Sequence, residues 1–272
     1  KSAQLCFRAM NIARYPSSIT DAQWALIKPM LPPPKKRGRP PTDRRQIIDA
    51  IFYVLMGGIQ WRMLPSSFPP WQTVYHVFHQ WSKDHTLEWL NARLRAHVRG
   101  SEGKRSRPTA AILDSQSVKS DSHGGQVGYD AGKRIKGGKR HLLVDRLGML
   151  LEVWVSPAST GDRSGAKKLL EGALGGPGVL SWLRKLWVDR GYSGKGFADW
   201  VKERQARLEV EVVKQTGEAR GFQVQAHRWK VERTIGWLMQ GRRMVRDYEK
   251  TETSAKAWIY LRMIDLQIRR LA

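Results

Sequence analysis

The fold of this chain is decided by the stretch Ala110-Ala111-Ile112-Leu113-Asp114, in which a short apolar run ends at an aspartate. Two further runs rich in Leu, Ile and Val follow at residues 141–144 and 150–155. Between them stands Asp145-Arg146-Leu147-Gly148, which is typical of a hairpin turn. These runs predict three short strands, with the second and third joined as a hairpin.

After the hairpin, the sequence alternates between helical and extended patterns. Helices are predicted at 164–174, 197–205 and 226–239, and short buried strands at 186–188 and 208–213. Strands that alternate with helices are typical of an α/β domain. We therefore predict a mixed sheet covered by helices over residues 106–272.

The preceding part of the chain has a helical pattern of apolar residues. Three helical stretches are predicted, near 20–31, 43–56 and 74–98, and the third continues through His85 without a break. The second and third are candidates for a helix-turn-helix. Four tryptophans of this region are predicted to belong to its core: Trp61, Trp71, Trp81 and Trp89.

A shift to Gly, Ser, Lys and Arg at residues 100–109 predicts a boundary between two domains. We expect residues 19–105 to form an all-α DNA-binding domain with a basic linker at 35–41, and residues 1–18 to be a leader or flexible arm. The linker contains Arg37-Gly38-Arg39-Pro40, and two interpretations stay open: an AT-hook that enters a narrow minor groove, or a plain basic linker.

The charge of the chain predicts a polyanionic partner. It carries 48 Lys and Arg against 24 Asp and Glu, a formal net charge of +24. Nucleic acid is the first candidate and an anionic membrane surface the second. No apolar run approaches the ~20 residues of a spanning helix, and no signal-peptide pattern is present, so we expect a cytoplasmic protein. The single cysteine, Cys6, excludes an internal disulfide and a cysteine-based zinc site.

Three carboxylates are candidates for the chemistry. Asp114 and Asp189 each follow a short apolar run, so both are expected at or near the end of a strand, where α/β sheets place active sites. Glu232 stands in a basic helix. Such carboxylates can converge on a pair of hard cations. The alternative is that both aspartates are turn or cap residues and that Glu232 is an exposed carboxylate paired to Arg228. Spacing alone leaves both interpretations open.

Four motifs of this sequence resemble those of a known family. They are Ile112-Leu113-Asp114-Ser115-Gln116-Ser117-Val118-Lys119, Gly128-Tyr129-Asp130-Ala131-Gly132-Lys133-Arg134-Ile135-Lys136-Gly137, Val188-Asp189-Arg190-Gly191-Tyr192 and Trp229-Lys230-Val231-Glu232-Arg233-Thr234. In this order they resemble the DDE transposases of the IS5 family, encoded by bacterial insertion sequences. The resemblance runs from about Tyr15 to near the last residue.

The resemblance implies an RNase H-like catalytic core in which Asp114, Asp189 and Glu232 are the catalytic and metal-binding residues. It implies two Mg²⁺ ions, for which Mn²⁺ can substitute, and binding to terminal inverted repeats followed by DNA strand transfer. It also implies a homodimer or higher assembly on DNA, and association with the bacterial nucleoid. Two other functions remain open: a transposase-derived DNA-binding regulator without catalysis, and a nuclease of the same fold.

The sequence departs from the family pattern around Glu232. Related transposases carry a Tyr seven residues before the Glu, an Arg four before it and a Lys seven after it. Arg228 matches the Arg, but Gln225 stands for the Tyr and Met239 for the Lys. Arg242 or Arg243 would then supply the missing cation one turn later.

Several cations are predicted to contact DNA. The segment 133–140 combines glycines with cations, so we expect it to approach phosphates; a solvated loop is the alternative. The full predicted set is Arg37, Arg39, Lys119, Lys133, Arg134, Lys136, Lys139, Arg140, Arg190, Arg228, Arg233, Arg242 and Arg243. Asp162 is a possible fourth carboxylate of the site, although an N-cap of the following helix is the favoured interpretation.

Overall fold

The computed structural model describes residues 15–33, 42–121, 125, 127–175, 181–213 and 228–272. The helices are α1 (Asp21–Ile27), α2 (Arg44–Gly57), α3 (Trp71–Lys83), α4 (Thr86–Ser101), α5 (Asp162–Gly175), α6 (Lys195–Arg204), α7 (Arg228–Met239), α8 (Arg242–Val245) and α9 (Glu252–Leu271). The strands are β1 (Ala110–Lys119), β2 (Gly128–Asp130), β3 (Ile135–Asp145), β4 (Leu150–Pro157), β5 (Lys185–Val188) and β6 (Glu209–Val212).

The strands form one mixed sheet, which confirms the predicted fold class. β1 lies at its centre, antiparallel to β3 and parallel to β5, and β6 continues the parallel side. β4 and the short β2 both pair with the other edge of β3. The predicted hairpin joins β3 to β4, and Gly148 takes the left-handed conformation there, with a φ of 82°.

Two strands are much longer than their apolar runs predict. β1 and β3 pair from Ala111 opposite Asp145 to Lys119 opposite Gly137. The sequence predicts that their polar residues end the strands, but neighbouring elements bury several of them, including Ser115 and Ser117. Asp114 therefore lies inside β1 and not at its end, and the predicted loop before residue 141 is largely strand.

The third helical stretch is also different from its prediction, because it is two helices. His85 has a φ of 61°, a left-handed conformation that an α-helix does not contain. The Asp84 carboxylate accepts hydrogen bonds from the backbone N–H and the hydroxyl of Thr86, at 3.1 and 2.6 Å, and so stabilises the start of α4.

The sheet is covered on both faces. Alternation along β1 directs Ile112 towards the core formed with α1–α4 and α9, and Leu113 towards the core formed with α5 and α6. Polar contacts join the helical region to the sheet, since Arg95 of α4 donates to the carbonyl of Leu150 at 2.7 Å. The N-terminal helices therefore share one continuous core with the sheet. Trp81 is buried in it as predicted, whereas Trp89 is 48% exposed and was wrongly assigned to the core.

A close contact between α5 and β3 leads to a stability prediction. A Cβ at Gly165 would lie 1.9 Å from Cε1 of His141, so only glycine fits beneath that ring. Replacing Gly165 with Ala is expected to lower the free energy of unfolding by about 1–3 kcal/mol, because the helix must move away from the sheet.

Gly172 is the matched control for this substitution, because it lies in the same helix and faces open space. Gly172→Ala is expected to raise the free energy of unfolding by about 0.5–1 kcal/mol, since alanine favours the helix. Urea unfolding measures both changes, and a Gly165→Ala variant as stable as Gly172→Ala would contradict the contact.

Candidate active site

Asp114 and Asp189 lie level with each other on neighbouring parallel strands. The register of β1 and β5 places Ile112 opposite Trp187, and each aspartate stands two residues further along its own chain segment. Both line one shallow depression, together with Ile112, Leu113, Trp187, Val188, Val213 and Val231. The structure therefore brings these two predicted site residues together, half-buried, with Asp114 on β1 and Asp189 directly after β5.

Backbone N–H groups orient both carboxylates. Oδ1 of Asp114 accepts from the backbone N–H of Ser115 at 2.7 Å. Oδ1 of Asp189 accepts from the backbone N–H of Gly191 at 2.9 Å, and so caps the short 3₁₀ turn Arg190–Tyr192. Asp189 therefore has the turn-capping contact that the alternative interpretation predicted, and it also lines the depression.

Glu232 lies on α7, which packs against β1. The residue before it, Val231, is buried and lines the depression, whereas Glu232 itself is exposed. The helix is held to the β3–β4 hairpin, because the Thr234 hydroxyl donates to the carbonyl of Gly148 at 2.8 Å. Within the described ranges, no three His, Cys, Asp or Glu residues are grouped closely enough to hold a metal ion. The structure thus gathers two members of the predicted triad and places the third nearby.

Asp162 is connected to the same region through β1 and β3. Its Oδ1 accepts from the Ser115 hydroxyl at 2.8 Å and from Nζ of Lys139 at 3.1 Å. Burial opposes ionisation, but these two hydrogen bonds hold the pKa of Asp162 below its usual value. Asp162 is the first residue of α5, and its carboxylate is fixed by the sheet, which the N-cap interpretation did not foresee.

Three carboxylates surround the side chain of Tyr192. This tyrosine is buried, and burial followed by the negative charges of Asp114, Asp162 and Asp189 raises the pKa of its hydroxyl. Asp162 and Asp189 also flank Gly191, since a Cβ there would lie 3.0 Å from Oδ1 of Asp189 and 3.9 Å from Oδ2 of Asp162. Sequence reasoning missed Tyr192, although it belongs to the motif that contains Asp189.

The donor set fits a hard divalent cation at Asp114 and Asp189. Both supply carboxylate oxygens, which Mg²⁺ and Mn²⁺ prefer, and together with Asp162 they bring negative charge close to Tyr192 in a chain of net charge +24. The buried His141 stands on the α5 side of β3, where burial lowers its pKa to about 4 and keeps it neutral at pH 7.

Three of the predicted DNA contacts are internal, and the prediction is corrected for them. Lys139 is 5% exposed and pairs with Asp130 and Asp162, at 3.3 and 3.1 Å. Arg140 is 6% exposed and donates to the carbonyl of Met244 at 2.9 Å; burial lowers its pKa to about 10. Arg243 donates to Glu249 and stacks on Trp258 at 4.6 Å. Contacts with residues of other elements hold these cations inside the protein.

The other predicted contacts divide into three groups. Six cations lie on the surface: Lys119, Lys133, Arg134, Lys136, Arg190 and Arg242. Arg233 is half-buried against the rings of Trp229 and Trp237 and donates to the carbonyl of Leu147 at 2.9 Å. Arg37, Arg39, Gln225 and the side chain of Arg228 lie outside the described residues.

The fold and the site together define a class of protein. A mixed sheet with two aspartates on its central parallel strands, joined to a strongly basic chain, is the arrangement of an RNase H-like enzyme of nucleic acids. Residues 105–265 match the family model described as "Transposase DDE domain", and residues 19–91 match "Putative transposase of IS4/5 family (DUF4096)". The chain belongs to the DDE transposases of the IS4/IS5 type.

A curated protein supports the same family. The chain is 31% identical over 117 residues to "Insertion element IS402 uncharacterized 16.2 kDa protein" of Burkholderia cepacia, a match that covers 40% of this chain and 78% of that protein. Transposases of this kind act on DNA and use divalent metals, which agrees with the predicted nucleic-acid partner. In the part of the chain that the structure describes, every helix is too short or too polar to cross a membrane.

Proposed function

We propose that this chain binds the terminal inverted repeats of an insertion sequence, cleaves the DNA there and joins the freed ends to a target. In this reaction water attacks the phosphodiester at the transposon end, and the freed 3′ hydroxyl then attacks the target strand. Family membership supports a transposase, and the proposal adds the order of steps and the residues that carry them.

The observation that carries the proposal is the level placement of Asp114 and Asp189 in one depression. Neighbouring strands lie ~4.8 Å apart, so two carboxylates at level positions can share a ligand. Their backbone hydrogen bonds hold them in place. Ser115 contributes from the opposite face of β1, because its hydroxyl fixes Asp162 behind the site. These contacts preorganise the acids before substrate arrives.

Asp114 and Asp189 would hold the divalent metal, and Glu232 would be the third ligand because it follows Val231 on the helix that covers the depression. When bound, a pair of Mg²⁺ ions supplies an activated hydroxyl and stabilises the leaving oxygen, and Mn²⁺ would substitute. The protein's own part is to orient these carboxylates and to position the phosphodiester between them.

Cations would position the DNA around this depression. The surface residues Lys119, Lys133, Arg134, Lys136, Arg190 and Arg242 stay in the predicted contact set, together with Arg233, Arg228, Arg37 and Arg39. Their role is to neutralise phosphates, which contributes affinity without sequence recognition. Two transposon ends must be held at once, so we propose that a homodimer or a higher assembly forms on DNA.

The test is a joining assay with purified protein. Labelled duplexes from the two ends of the insertion sequence are incubated with a target plasmid and Mg²⁺, once intact and once with the 3′ hydroxyl already exposed. We expect cleavage of the intact ends and covalent joining of both kinds to the plasmid. A duplex of scrambled sequence is the control and is expected to give neither product.

The two other candidate functions give different products in the same assay. A nuclease of this fold would cleave intact ends but leave the precleaved ends unjoined. A DNA-binding regulator would bind the ends and release them unchanged. Either result contradicts the proposed transposition reaction.

A further inference from the structure

A second site, lined by cations, lies beside the carboxylate depression. It is a groove of about 470 Å³ between the end of α4, the segment that leads into β1, the β3–β4 hairpin and α7. Six cations line it: Arg99, Lys104, Arg105, Arg107, Arg146 and Lys230. Among the residues described, no acid belongs to its lining. We call it the cationic groove.

The charges of the cationic groove are only partly neutralised from inside. Arg99 is buried and pairs with the buried carboxylate of Asp145. Arg105, Arg107 and Arg146 are exposed. Lys230 has a lowered pKa because of burial and then because of the neighbouring charges of Arg146 and Arg233. Cations that repel one another in this way are stabilised by an anionic ligand.

The guanidinium groups of the groove are arranged for phosphate and not for bases. Arg107 lies over the ring of Trp182 at 5.1 Å, and Arg146 lies over the ring of Trp187 at 5.9 Å. A stacked guanidinium keeps its N–H edge available to a phosphate. The same stacking covers the aromatic faces on which a nucleobase would need to lie. This favours a backbone ligand over a free nucleotide.

Three elements contribute residues to the cationic groove, or contact it, and also line the carboxylate depression. On β1, Ala110 lines the groove and Asp114 lines the depression. On α7, Lys230 lines the groove and Val231 the depression. On β5, Trp187 lines the depression and carries Arg146 on its ring. A ligand in the groove and a ligand in the depression would therefore be neighbours.

We propose that the cationic groove binds the phosphate backbone of the same DNA duplex that is cut at the depression. Asp114 lies four residues after Ala110 on β1, which corresponds to about 13 Å at ~3.3 Å per residue. If the duplex follows β1, the groove contacts phosphates about four base pairs from the scissile one, at ~3.4 Å per base pair. The inference rests on the proposed cleavage reaction and adds the position of the DNA.

The experiment compares two double variants of the full chain. Arg107→Ala with Arg146→Ala removes two exposed cations of the groove. Lys168→Ala with Lys202→Ala is the matched control, because both lysines are exposed on α5 and α6, the helices that cover the other face of the sheet. The affinity for a duplex from an insertion end is measured at several salt concentrations by fluorescence anisotropy.

We expect the groove variant to bind more weakly and to depend less on salt. Loss of two phosphate contacts lowers the slope of log affinity against log salt by about 2, since each contact contributes ~0.9. At low salt this corresponds to an affinity loss of at least about tenfold, equal for specific and scrambled duplexes. The control variant is expected to keep the slope of the wild-type protein.

A second measurement tests where the DNA lies. Uncharged methylphosphonates are placed about four base pairs from the cleavage position. They should weaken binding of the wild-type protein and have little further effect on the groove variant. Replacing both arginines with Lys keeps the charges and should restore the salt slope, which separates lost contacts from a damaged fold.

Two results would overturn the inference while leaving the proposed function intact. One is a groove variant with the affinity and salt slope of the wild-type protein. The other is saturable binding of a mononucleotide that the groove variant loses while its affinity for duplex is unchanged. Wild-type protein that fails to bind insertion ends at any salt concentration would instead contradict the proposed function itself.

Discussion

Replacing Asp114 with Asn is expected to lower the rate of DNA cleavage by roughly 10³-fold, because a metal-ligand contact is worth several kcal/mol in the transition state. Asn keeps the size of the side chain and removes the charge at the depression that Asp114 shares with Asp189. The affinity for insertion ends should stay within about threefold, since the phosphates are bound by cations elsewhere. Single-turnover cleavage in Mg²⁺ and anisotropy binding measure the two quantities.

The matched control is Asp199→Asn, because Asp199 is an exposed carboxylate on α6. It should cleave like the wild-type protein, and Asp189→Asn should be as impaired as Asp114→Asn. An Asp114→Asn variant that cleaves within about tenfold of wild type would contradict the catalytic assignment. The same assay with Glu232→Gln tests the third member of the triad. If this variant cleaves like the wild-type protein, Glu232 is not a residue of the active site.

Replacing Asp145 with Ala is expected to lower the free energy of unfolding by about 3–5 kcal/mol, because it leaves a buried guanidinium without its counter-charge. Asp145 is fully buried and accepts from Arg99, and its Oδ1 also accepts from the backbone N–H groups of Leu147 and Met149, at 2.8 and 2.9 Å. These bonds shape the hairpin that carries Arg146 and contacts α7. Urea denaturation at neutral pH measures the loss.

An exposed ion pair between a carboxylate and an arginine is the control for Asp145. Glu102 pairs with Arg270 at 2.6 Å, and both side chains are more than a third exposed to solvent. Glu102→Ala should therefore cost at most about 1 kcal/mol. If Asp145→Ala costs no more than Glu102→Ala, the buried pair does not stabilise the fold in the way that its geometry indicates.

Local sequence patterns predict most of the secondary structure and the position of Asp114 and Asp189 next to strands. Apolar runs at 110–113 and 186–188, each followed by an aspartate, predict two short strands with Asp114 and Asp189 at or near their ends. Glycine and aspartate in the sequence 145–148 likewise predict the hairpin. These features depend on residues that are close in the chain, so a sequence window contains them.

Such patterns do not predict which polar residues are buried. Ser115 and Lys139 look like strand ends and surface charges, yet each is buried by a partner contributed by another element, Asp162 of α5. Glu232 shows the same limit, because its distance from the aspartates depends on how α7 packs on β1. The spacing of residues along the chain does not predict contacts between elements that are distant in sequence.

The features that the sequence predicts differ from those that only the structure shows in the range of the interactions that produce them. Backbone preferences, side-chain alternation and turn chemistry act within a few residues, and they set the order of the strands and helices. The level of Asp114 with Asp189 depends instead on the pairing of β1 with β5, which are far apart in the chain. Which cations face solvent depends on desolvation and on partners far away in the chain, such as Met244, which lies 104 residues after Arg140. Only the packed structure therefore separates the internal cations Lys139, Arg140 and Arg243 from those of the cationic groove.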